Sequence, residues 1–239
     1  MFMKLIYFKA NMQFFTDILN VFFPNVCLNC NLVLTHQENT LCSSCLVDLP
    51  LTNYLENDNN IVSKIFYGRI KIEHATALLF YHKKGITQEL IHKLKYKGYE
   101  QIGTFFGNWL GKNLKDTHSF DDIDFIIPVP LHKKRIKIRG YNQVTKFGQQ
   151  LAFHLEKPYL ENILIRTNAN KTQTKKSRIE RIKNVNELFF LTDDTFLKGK
   201  HILLIDDIIT TGATMESCVN ELLKTKDIKI SLAVMAITE

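Results

Sequence analysis

The chain has 239 residues, 45% hydrophobic and 23% charged, which excludes a disordered or fibrous protein and leaves room for one sizeable core with a small appendage. Lysine and arginine total 31 against 24 acids, and the net charge of +7 favours an anionic partner, whether a phosphorylated small molecule or a nucleic acid. No apolar run approaches the roughly 18 residues of a membrane span. The segment from Met1 to Phe8 has Lys4 inside its short apolar run and no small-residue cleavage site after it, so a cytoplasmic address is expected.

In chain order, the first feature is a cysteine cluster. Cys27-x2-Cys30 and Cys42-x2-Cys45 offer four thiolates in two tight turns, the donor set of a tetrahedral zinc site. Two disulfides are the alternative, and a reducing compartment disfavours them. Four sulfur ligands leave no open position on the ion, so a structural staple is expected rather than a catalytic centre. The polar run Tyr54 to Asn60 reads as a linker. The expected division is residues 1–60, an N-terminal helix and the zinc-binding segment, and residues 61–239, a single larger domain.

Beyond the linker, strand-like and helix-like segments alternate. Thr76 to His82 reads as a strand, Gln88 to Lys95 and Tyr99 to Leu114 as amphipathic helices, and Asp124 to Pro130 as a buried strand. A basic loop follows, then a helix carrying Tyr141, Val144, Phe147, Leu151 and Leu155 on one face. Asn162 to Ile165, Glu187 to Leu191, His201 to Ile205 and Lys229 to Ile237 read as strands, and Ala213 to Leu223 as a helix. The alternation predicts an α/β fold, a mostly parallel sheet with flanking helices.

The stretch from His201 to Thr214 is the most informative. Four apolar residues form a buried strand, and Asp206 and Asp207 then stand at its C-terminal end, where open α/β sheets bind ligands. The amides and hydroxyls of Thr210, Thr211, Gly212, Ala213 and Thr214 can form a phosphate nest at a helix start. Carboxylates beside a phosphate suit sugar hydroxyls or a magnesium ion. A ribose 5-phosphate satisfies both halves. Cations cluster in two further places: Lys133, Lys134, Arg135, Lys137 and Arg139 after the Pro-Val-Pro strand, and Lys171 to Lys183 with Arg178 among them. Position favours an anion site for the first, and a solvated charge run is its alternative.

The stretch from His201 to Thr214 resembles the fingerprint of the type I phosphoribosyltransferases, which bind phosphoribosyl pyrophosphate (PRPP) and magnesium. The double Cys-x2-Cys, Leu90 to Gly98, Ile127 to His132, Arg139 to Gln143, Arg166 with Thr172 and Gln173, and Arg178 to Asn184 with Phe189 narrow the resemblance to the ComF family, linked to bacterial competence for DNA uptake. The resemblance implies that Asp206 and Asp207 contact the ribose hydroxyls and that Thr210 to Thr214 clasp the 5-phosphate. It implies that the loop around Lys133, Arg135 and Arg139 faces pyrophosphate, and that the Arg166 to Arg181 region, with Arg178, forms a hood. Asp206, Asp207 and Arg139 are then the expected catalytic residues. Nothing in the chain names an acceptor. The other reading is a non-catalytic, single-stranded-DNA-binding competence factor with a PRPP-sensing or vestigial pocket, and with Lys93, Lys95, Lys97, Tyr96 and Tyr99 on its surface. Other competence proteins are expected partners on either reading.

Overall fold

A computed structural model describes residues 24–55, 59–167 and 188–239. The expected N-terminal helix and Arg178 lie outside the described residues. Contacts divide the chain into two compact units, Met1–Leu49 and Pro50–Glu239.

In the smaller unit, the Cys27 turn closes when Asn31, left-handed at φ 61°, donates its N–H to the Cys27 carbonyl at 3.0 Å. The second cysteine pair opens the short helix α1 (Ser43–Val47). Glu38 joins the two parts. Its carboxylate accepts from the N–H and hydroxyl of Thr35 at 2.9 and 3.0 Å and from those of Ser43 at 2.6 and 2.7 Å. These bonds, the Ser43 hydroxyl first, hold its carboxyl down at about 2.

The larger unit is built on four parallel strands in the order β1 (Ala75–Tyr81), β6 (Lys229–Thr238), β5 (His201–Ile209) and β2 (Phe125–Pro128). Ile202 to Ile205 are fully buried, as central parallel strands covered on both faces must be. On one face lie α2 (Ile61–Phe66), α7 (Ala213–Leu222) and an antiparallel pair, β3 (Leu164–Thr167) with β4 (Leu188–Leu191). Phe66, Leu164, Phe189, Ile202, Leu204 and Cys218 share that core. On the other face are α3 (Ile86–Tyr96), α4 (Gln101–Lys115) and α6 (Thr145–Leu155), with Leu90, Phe106, Phe147 and Leu151 buried.

Two glycine contacts set the layer spacing on that second face. A Cβ at Gly107 of α4 would come within 2.6 Å of the Phe147 carbonyl oxygen of α6, so only glycine lets the helices approach so closely. A Cβ at Gly148 of α6 would lie 2.5 Å from Ile205 Cδ1 of β5 and 2.4 Å from the Tyr159 ring.

At the N-terminal end of β5, buried His201 uses both ring nitrogens. Nδ1 lies 2.8 Å from Asp122 Oδ1 and Nε2 lies 2.9 Å from Ser231 Oγ, which accepts the His74 N–H at 3.1 Å. The His201 N–H donates to Asp124 Oδ2 at 2.9 Å, and Lys200 Nζ holds Asp124 Oδ1 at 3.0 Å. The network closes on itself.

The observed order matches the expected strands and helices, with three differences. The basic loop after β2 folds as a helix, α5 (Lys133–Arg139): the His132 side chain accepts the Lys134 N–H at 3.1 Å at its start, and Gly140 ends it at φ 82°. The short strands β3 and β4 pair antiparallel with each other in a sheet of their own. Helix α2 went unread in the sequence because its six residues hold only two fully buried side chains, Val62 and Phe66, too few for a visible period.

Candidate functional site

Successive strand residues point to opposite faces, so Asp206 and Asp207 straddle the sheet. Ile205, on the Asp207 side, meets α6, and Cys218 of α7 feels the Asp206 carboxylate on the other. The helices following the adjacent strands β2 and β5 therefore cover opposite faces. This is a topological switch point, the place where an open α/β sheet leaves a crevice beyond its strand ends. Strand β2 stops beside it: Pro128 pairs with Ile205, and the Val129 N–H donates to the Ile205 carbonyl at 2.8 Å, one residue before the acids.

The two carboxylates have different surroundings. Asp207 is buried, its Oδ1 lies 2.8 Å from Lys95 Nζ of α3, and its Oδ2 is buried without a hydrogen-bond partner among the described residues. Asp206 keeps part of its surface open and turns one oxygen to the Asp207 N–H at 2.8 Å. Surrounding protein and then the neighbouring Asp207 charge push its carboxyl up to about 8, against the pull of that N–H, Lys95 and Arg166. The site thus holds a second carboxyl that its own cations do not keep ionised at neutral pH. An oxygen donor pair of this kind fits a hard divalent cation or the hydroxyls of a sugar.

The turn expected to hold a phosphate follows at once. Thr210, Thr211 and Ala213 are exposed and Thr214 is half-buried, with their amides at the start of α7. Gly212 is the helix N-cap, left-handed at φ 76°, and it is buried. A Cβ there would meet the Phe66 ring at 2.7 Å and Ile65 Cγ2 at 2.8 Å, so packing against α2 demands glycine independently of any phosphate. Arg69 braces the turn from outside by donating to the Thr211 carbonyl at 3.2 Å and pairing with Glu216.

The basic segment is anchored to α3. The Arg139 guanidinium lies 5.0 Å over the Tyr96 ring and donates to Gln143 Oε1 at 2.6 Å. The Tyr141 hydroxyl donates to the Leu94 carbonyl, and Asn142 Nδ2 to the Val129 carbonyl at 3.3 Å. The Arg139 to Gln143 motif is therefore a clamp between the end of α3 and the end of β2. Lys133 and Arg135 stand exposed on α5. Among the described residues Lys95, rather than Arg139, meets the acidic pair.

Two participants escaped the sequence reading. Lys95 was grouped with Lys93 and Lys97 on a DNA-facing surface, yet its side chain is only 18% exposed and committed to Asp207. The row Thr87, Ile91, Lys95, four residues apart on the buried face of α3, was the available signal. Arg166, taken as the start of a hood, is buried in β3 with its guanidinium 5.4 Å over the Phe189 ring.

In the smaller unit the four sulfurs of Cys27, Cys30, Cys42 and Cys45 lie within 4.8 Å of one another, Cys30 and Cys42 at 3.6 Å. All are free thiols, which disfavours the two-disulfide alternative. Zinc–sulfur bonds of about 2.3 Å place tetrahedral sulfurs about 3.8 Å apart, so the cluster could hold a metal such as zinc. Cys27 Sγ accepts the Cys42 N–H at 3.3 Å and the Asn29 N–H at 3.5 Å, and Asn29 Nδ2 donates to Cys45 Sγ at 3.2 Å. Burial pushes the Cys27 thiol up, but the backbone N–H groups outweigh it and bring it down to about 6.

The description "Phosphoribosyl transferase domain" fits the family model that matches residues 145–237. Competence protein F of Haemophilus influenzae is 29% identical over 203 residues, covering 81% of this chain and 89% of that protein. The chain is thus similar to competence proteins of the ComF family and carries a phosphoribosyltransferase-like domain. Competence protein ComFC of Bacillus subtilis is 34% identical over 139 residues, covering 56% of this chain and 52% of its own length. DNA utilization protein YhgH of Escherichia coli K12 is 30% identical, covering 56% of the chain and 60% of its own length. The alignments with these two relatives thus span little more than half of each. A solved purine phosphoribosyltransferase from Pyrococcus horikoshii is 18% identical over 58% of the chain and 73% of that chain, at a TM-score of 0.37, a superposition too loose to bear on the site. No helix among the described residues is long and apolar enough to cross a membrane.

Proposed function

We propose that the larger unit binds PRPP together with magnesium at the C-terminal end of β5 and transfers its phosphoribosyl group to an acceptor in a competence-associated, cytoplasmic setting. The observation that carries this reading is Asp207: a buried carboxylate oxygen without a partner among the described residues, at a switch-point crevice, three residues before an exposed threonine turn that opens a helix. Asp206 and Asp207 would hold the ribose hydroxyls and the cation, and Thr210 to Thr214 the 5-phosphate. Magnesium, when bound there, would supply charge neutralisation for the pyrophosphate.

In the transfer, the bond from the anomeric carbon to pyrophosphate breaks as the acceptor's lone pair forms its own bond there, through a cationic sugar. Pyrophosphate leaves with the electron pair of the broken bond. The work of the protein is electrostatic. Cations of the Lys133 to Arg139 helix, Arg135 and Arg139 among them, would receive the departing charge, and fixed carboxylates would face the developing positive charge. Arg178 is assigned to the same anion. The four cysteines would hold a structural zinc that staples a segment too small for a core of its own.

The test is calorimetry with PRPP and magnesium on the wild type and on the Asp206→Asn/Asp207→Asn protein. Binding by the wild type and loss of about a hundredfold or more in the double variant is the expected result. A wild type that takes up no PRPP would end this reading. Release of pyrophosphate on screening acceptors then separates transfer from binding alone.

A further inference from the structure

A buried ion pair that serves only the fold has its remaining lone pairs satisfied, because an unmet oxygen in a dry environment is costly. The pair of Lys95 and Asp207 departs from that pattern. The lysine takes Oδ1 at 2.8 Å, both side chains are withdrawn from water, at 18% and 4% exposure, and Oδ2 is left without a partner among the described residues. The counter-charge is moreover a lysine, a compact point charge on a flexible four-carbon stem that swings more readily than the planar, multiply bonded arginine fork. It stands in the last turn of α3, between Leu94, whose carbonyl accepts the Tyr141 hydroxyl, and Tyr96, on which Arg139 is stacked. One helix turn therefore joins the acidic pair to the cationic helix α5.

We propose that Lys95 is the exchangeable counter-cation of this site. It neutralises Asp207 when no divalent cation is bound and yields the carboxylate when one arrives, turning its ammonium toward the anionic ligand. The inference rests on the reading of the acidic pair as the cation-facing side of a phosphoribosyl site. Its consequence is that Lys95 competes with the cation in the absence of nucleotide or sugar. It is a positioning residue, distinct from the groups that would touch the ribose.

The test uses the full chain and Mn2+ alone, with free Mn2+ followed by electron paramagnetic resonance. Lys95→Met should bind Mn2+ roughly tenfold more tightly than the wild type, a gain worth about 1.4 kcal/mol. Lys95→Arg, which keeps the charge and holds the carboxylate at least as firmly, should show no gain over the wild type, and adding Asp207→Asn to Lys95→Met should abolish the gain. An affinity in Lys95→Met equal to or weaker than that of the wild type overturns the proposal. Wild-type protein gives a second measurement that no folding defect can spoil: lysine acetylation read by mass spectrometry. Lys95 should be protected relative to exposed Lys97 and should become several times more reactive with excess Mn2+. Unchanged labelling of Lys95 overturns the exchange. Calorimetry with PRPP keeps the two readings apart. PRPP binding without the Mn2+ effects removes the exchange alone, and Mn2+ effects without PRPP binding remove the phosphoribosyl reading alone.

Discussion

The two ends of strand β5 carry buried titratable groups, and they are finished differently. At the N-terminal end, both nitrogens of His201, both oxygens of Asp124 and the Ser231 hydroxyl have partners at hydrogen-bonding distance. At the C-terminal end, Asp207 keeps an oxygen with no partner among the described residues, and Asp206 is pushed up to about 8 by burial and its neighbour. A polar network that holds a fold together completes its own bonds. A site that must receive something from outside leaves bonds open and bears the cost in stability.

This contrast can be broken most forcefully at the closed end. His201→Ala leaves a cavity and takes a hydrogen-bond partner from buried Ser231, so chemical denaturation should show a loss of about 3 kcal/mol. Burial lowers the folded-state titration of His201 below the ordinary value near 6.5, so the unfolded chain takes up the proton first. Wild-type stability should accordingly be complete above pH 6.5 and fall as the pH drops below it, and His201→Ala should lack that slope. A variant as stable as the wild type would mean that the network is ornamental.

Next in size, Gly212→Ala must hold a left-handed φ with its Cβ against Phe66, for a loss of about 2 kcal/mol in the same measurement. At the open end the sign reverses. The folded protein binds a proton at Asp206 that the unfolded chain has released, so wild-type stability should decline as pH rises from near 4 to about 8. Asp206→Asn, neutral throughout, should therefore be more stable than the wild type by on the order of 1 kcal/mol at pH 8, with the difference vanishing near pH 4. Destabilisation by this change at pH 8 would contradict the picture of an open end. Smallest of all, Arg69→Ala removes a half-exposed pair with Glu216 and should cost about 0.5 kcal/mol, less at high salt.

Much of the fold could be read in the chain because its strands are short apolar runs and its helices have clear buried faces. Ile202 to Ile205 and the acids after them are the clearest case, since two carboxylates directly after a buried strand have few structural reasons to be there. Other parts were hidden for local reasons. Lys133 to Arg139 looked like a loop because a seven-residue helix with no buried residue has no apolar period to betray it. Lys95 was hidden among lysines at alternate positions, and only the orientation of α3 on the sheet distinguishes the inward one. The alternation of buried Leu164 and Arg166 with exposed Ile165 marks a strand, but a charged residue in that pattern reads as surface until Phe189 is seen beneath it.

Gly148 gives the site a sensitivity at some distance from any ligand. The helix that carries it rests on Ile205, the residue before Asp206, through the space of a missing methyl group. The height of the acidic pair above the sheet is thus set like a shim, by thickness at the back of the strand. Drift among relatives in the bulk of that one helix position, or of Tyr159 beside it, would retune the reach of the carboxylates while every residue that faces the crevice stays the same.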